Sequence, residues 1–166
     1  MSRIRATEPE GSPTLPSRRP GASSRLMTPP APGSSPDTTS LYDTVALKAT
    51  LDEIRAVVER VTGLLLATRD GLILCSDTHD IEDDSVAAMA AAAAGLSARF
   101  TAQAQVGTPR ATMFEGETGY VCLFPVDSSL LLVVFGERDL TMGLFNIAAK
   151  QALSQLQQSL VRQPRA

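Results

Sequence analysis

Few residues in this chain are placed to carry chemistry. Five carboxylates fall within the eight residues Asp77–Asp84, a density that could hold a metal ion or serve acid–base catalysis. Their order favours a plainer role. Asp80 stands where a helix needs an N-cap, Asp83 follows three residues later, and Glu82, Asp83 and Asp84 fill the first turn. Carboxylates there offset the positive end of a helix dipole. His79, the only histidine, lies in the same charged loop. A Ser-His-Asp triad would depend on it alone, and no serine sits in a nucleophile elbow. Cys75 and Cys122 form no CxxC pair and read as small buried apolar residues. Glu115 and Glu117 flank a turn glycine as solvated acids. No phosphate loop of the form GxxxxGKS/T is present, and no GxGxxG follows a strand. The residues predict no catalytic, metal or cofactor site.

Function must then rest on surfaces, and the elements decide which surfaces exist. Composition divides the 166 residues near position 40. Residues 1–40 hold eight of the eleven prolines, eight serines and five arginines, with a net charge of +2. Such a segment cannot bury enough apolar surface to offset its ordering entropy, so it is expected to be a disordered Pro/Ser/Arg-rich tail. Ser12-Pro13, Thr28-Pro29 and Ser35-Pro36 are candidate modification sites within it, and Met27 is a candidate alternative start. Residues 41–163 are expected to form one domain. The chain after residue 40 carries a net charge of −5, which argues against nucleic acid as a partner. The longest apolar run, Val86–Leu96, is shorter than a bilayer crossing requires, and no secretory h-region is seen. A cytoplasmic protein with no direct membrane insertion is expected.

Periodicity starts at Ser40, which with Asp43 suggests a capping box. Leu47, Leu51, Ile54, Val58 and Val61 then form one stripe of an amphipathic helix that Gly63 would end. Two short apolar runs, Leu64–Thr68 and Leu72–Ser76, flank Arg69-Asp70-Gly71, a hairpin signal. A helix is predicted over Ile81–Gln105. One stripe on it, Val86, Met89, Ala93, Leu96 and Phe100, is expected to face the domain's own sheet. A second, Ala88, Ala91, Gly95, Ala98 and Ala102, is made of small residues that let two helix backbones approach closely. From Ser85 to Gln105 the only charge is Arg99, so this face is expected to meet another subunit. Strands follow at Arg110–Phe114, Thr118–Phe124 and Leu130–Phe135. The first is short and polar, as suits a sheet edge, and the last is continuously apolar, as suits the centre. A final helix runs from about Asp139 to Val161, with Leu140, Leu144, Ile147 and Phe145, Ala149, Ala152, Leu156, Leu160 on a broad apolar face. The element order α-β-β-α-β-β-β-α predicts an α+β domain: a five-stranded antiparallel sheet with helices on its faces.

That pattern resembles the roadblock/dynein light-chain family, whose fold is profilin-like. The resemblance rests on Val57–Gly63, on Leu64–Leu74 as the first hairpin, on the Ala-rich Val86–Phe100, on Tyr120–Pro125, and on Leu130–Phe135 before the last helix. Its wording is nearest to bacterial members, including those of conservon operons. The excess of arginine over lysine agrees with a high-GC bacterial source. The resemblance implies a non-enzymatic homodimer in which the second helices pack together and the third strands pair. It also implies a small Ras-like GTPase as partner, on the helix face. On that reading Ala88, Ala91, Gly95, Ala98, Ala102, Arg110, Thr112 and Phe114 line the dimer interface. Arg99 would be a partner contact, as a rim arginine rather than an arginine finger. A profilin, PAS or GAF-like small-molecule sensor is the alternative.

Overall fold

In the computed structural model, residues 42–162 are described. The expected tail with its Ser-Pro and Thr-Pro pairs, Met27, Ser40 and the last domain residue, 163, lie outside them. Helix α1 spans Thr44–Val57. Its N-cap is Asp43, whose carboxylate accepts from the N–H groups of Val45 and Ala46 at 3.1 Å. Leu47, Leu51 and Ile54 are buried, and Val58 closes the stripe at the C-cap. The helix ends there, earlier than its apolar period suggests. Val61 and Gly63 belong instead to strand β1, Val61–Thr68, and Arg60 takes the left-handed turn, with φ of 72°. Gly63 serves space rather than helix termination. A Cβ there would lie 3.3 Å from the Asp77 carbonyl oxygen and from the Phe135 ring.

Strand β2, Ile73–Asp77, returns from β1 through Arg69-Asp70-Gly71, with Gly71 at φ of 86°. Helix α2 covers Asp83–Gln103. Strands β3, Thr112–Glu115, β4, Gly119–Pro125, and β5, Leu130–Glu137, follow, and helix α3, Met142–Arg162, ends the domain. The sheet is antiparallel throughout in the order β2-β1-β5-β4-β3. The fold expected from the sequence is therefore the fold observed. β5 lies at the centre and Leu130–Val134 is fully buried. β3 lies at an edge. It starts two residues later than expected, so Arg110 stands in the preceding loop. Gly107, at φ of 91°, and Pro109 hold that loop out of the ladder.

Both faces of the sheet are covered, which explains why β1 and β5 read as continuous apolar runs. On one face Leu64, Leu66, Tyr120, Cys122, Phe124, Leu132 and Val134 pack against α1 and α3. On the other, Leu65, Ala67, Leu123 and Val133 pack against α2. Phe145 of α3 stacks on Tyr120, with ring centroids 5.3 Å apart. The apolar face of α3 is narrower than its sequence suggests. Phe145, Ala149, Ala152 and Leu156 are buried, whereas Leu144 and Ile147 point to solvent. Leu140 is buried in the loop before the helix.

Candidate interaction surface

Alanines on every side of α2 leave its orientation to fit rather than to polarity. The line that meets the sheet is Ala87, Ala90, Ala94, Ser97 and Thr101, at spacings of three and four. Ala87 and Ala90 are buried against Leu65, Leu123 and Val133. Thr112 Oγ1 donates to Ser97 Oγ at 2.9 Å and fastens β3 to the helix. This line runs between the two stripes expected from the sequence. The stripe expected to face the sheet does so only at its edge. Val86 and Ala93 are half-buried, but Met89, Leu96 and Phe100 are 60%, 69% and 72% exposed. The reason is steric: a helix seated on a face already filled by leucine and valine comes closest with alanine beneath it.

The two flanks of α2 differ. Val86, Met89, Ala90 and Ala93 overhang Phe114, Val121 and Phe135, forming an open apolar groove of about 410 Å³ over β5, β4 and β3. Phe114 and Val121 sit opposite each other in the β3–β4 ladder and form its floor. The other flank leans over the β1–β2 turn. A Cβ on Gly71 would lie 3.1 Å from the Cα of Ala88. Ala91, Gly95, Ala98 and Ala102 continue this second flank by helical period, and Gly95 has only open space around it. The structure therefore brings Phe114 together with Met89 and Ala93, and Thr112 to Ser97, with exposed Arg110 just before the strand. It sets Ala88, Ala91, Gly95, Ala98 and Ala102 on the opposite side of the helix. Arg99 points outward, exposed between the flanks. Sequence reasoning missed Met89, Leu96 and Phe100 as surface residues. The only available signal was the third line of small residues at 87, 90 and 94, and periodicity alone does not rank three equivalent lines.

By length and composition α2 could cross a membrane. Here it lies on the sheet and is tied to it. Asp83 accepts from the hydroxyls of Ser76 and Thr78. The helix begins later than expected: Glu82 is the N-cap position, without a side-chain cap bond, and Asp80 takes a left-handed turn at φ of 56°. Asp83 and Asp84 keep their place in the first turn. Asp77 faces Arg55 Nη1 at 3.5 Å and Lys48 Nζ at 3.9 Å. The acidic run is thus spread over a turn, the first turn of α2 and an ion pair. Among the described residues no three His, Cys, Asp or Glu side chains come together as a metal ligand set. Burial pushes the thiol of Cys75 up from 9.0 to about 12 and that of Cys122 to about 11, so both are neutral.

Comparison with known proteins fits this architecture. Residues 47–135 match the Roadblock/LC7 domain. Two uncharacterised proteins of Methanocaldococcus jannaschii are each 31% identical over 99 residues, which cover 59% of this chain and 86% of theirs. Among solved structures, Myxococcus xanthus MglB superposes with a TM-score of 0.64 at 17% identity, over 75% of this chain and 96% of MglB. The gliding protein MglB of Thermus thermophilus gives 0.62 at 17% identity, over 74% and 96%. A Roadblock/LC7 domain from Streptomyces avermitilis gives 0.59 at 17%, over 69% and 97%. With the matched segment spanning more than half of its length, the chain belongs to the Roadblock/LC7 domain family.

Proposed function

We propose that this protein is a non-enzymatic, homodimeric regulator or scaffold of a small Ras-like GTPase in bacterial, conservon-type cytoplasmic signalling. One observation carries the dimer: the apolar flank of α2 is continuous with the open edge of β3. Phe114, 49% exposed, sits at their junction. A contiguous apolar surface beside an unpaired strand edge needs a cover. A second copy joined through β3 extends the sheet and lays its own α2 against Met89, Ala93, Leu96 and Phe100. Of the residues expected at the seam, Arg110, Thr112 and Phe114 stay in it. Ala88, Ala91, Gly95, Ala98 and Ala102 then remain open on the flank over the β1–β2 turn, with Arg99 between, as surface for the GTPase. The GTPase itself comes from the family resemblance. The compositional division supports a disordered arm over 1–40 before a domain over 41–163.

A pull-down from the native organism with the full chain tests the partner. Recovery of a Ras-like GTPase supports the reading, and a GTP-hydrolysis assay then separates activation from scaffolding. Recovery of no GTPase in either nucleotide state counts against it. The groove beneath α2 is where a small molecule would sit in the alternative reading, a sensor domain. All its lining side chains are apolar, so no polar group is there to orient a metabolite. A stoichiometric bound metabolite in native mass spectrometry would favour that alternative.

A further inference from the structure

We draw no further inference here: the strongest candidate, the groove of about 440 Å³ between the end of α1 and the start of α3, lined by Val57, Leu140, Leu144, Ile147 and Gln151, is an unpartnered face, and nothing in the structure shows what covers it.

Discussion

Leu96→Ala separates the cost of the seam from the cost of the fold. Leu96 lies in the middle of the α2 flank that continues into β3, and 69% of it is exposed in the isolated chain. Fully burying a leucine side chain is worth about 1.5–3 kcal/mol. Covering the part still exposed is then worth about 1–2 kcal/mol per copy, and a two-fold seam counts it twice. Alanine keeps a fraction of that contact. The expected loss is about 2–3 kcal/mol of dimer free energy, or roughly thirty- to 150-fold in the dissociation constant. The monomer should scarcely change, within about 0.5 kcal/mol, because an exposed side chain is lost and alanine favours helix. Sedimentation equilibrium over a micromolar dilution series measures the first quantity, and urea unfolding below the dissociation constant measures the second. Ala98→Glu, on the flank over the β1–β2 turn, is the control and should leave the dimer intact. If Ala98→Glu splits the dimer while Leu96→Ala does not, the seam runs along the small residues and the assignment of flanks is wrong. A monomer destabilised by several kcal/mol would instead show that Leu96 is a core residue.

Three further outcomes follow from the packing. Asp43→Ala removes the acceptor for two N–H groups at the start of α1 and should cost about 1 kcal/mol in urea unfolding. A full-strength unfolding midpoint would show that another group caps the helix. Gly119→Ala drives a Cβ into the Gly136 carbonyl oxygen on the neighbouring strand. Backbone there cannot yield as a side-chain tip can, so the loss should lie at the upper end of about 1–3 kcal/mol, and an unchanged midpoint refutes the close approach. The thiol protons give an alkaline dependence. Folded Cys75 holds its proton up to about 12 and Cys122 up to about 11, against an ordinary value of 9.0. Their contribution is complete below the ordinary value and is lost as pH rises from there through the folded values. Stability should therefore fall as pH rises from about 9 through about 11 to about 12, and the fall should shrink in Cys75→Val. An identical pH dependence in the variant would assign the loss to other groups.

Much of the fold was legible because its signals are local. Asp70-Gly71 needs only a residue that tolerates positive φ, and Gly71 supplies it. Leu130–Val134 reads as a central strand because no face of it can meet water. The polar, short β3 reads as an edge for the opposite reason. The boundaries were less legible. Val58 and Val61 share the helical period of Leu47 and Leu51, yet the chain turns at Arg60 because Val61 pairs with Gly136 in the sheet. Tertiary pairing overrode periodicity there. On α3, Leu144 and Ile147 fit an apolar face by spacing, but the packing admits only the line through Phe145 and Leu156.

The interaction surface shows the same division more sharply. That α2 is nearly uncharged was written in the residues from Ser85 to Gln105. Which side of it is covered was not. A helix with alanine on three lines presents no strong polarity to orient it. Its seating was decided by which line let its backbone approach Leu65, Leu123 and Val133 most closely. That choice turned Met89, Leu96 and Phe100 outward and put the small-residue stripe over the β1–β2 turn. The sequence by itself determined the order of elements and the turns, because each depends on neighbours along the chain. Only the tertiary structure decided which flank of α2 joins the β3 edge. That depends on contacts between residues distant in sequence.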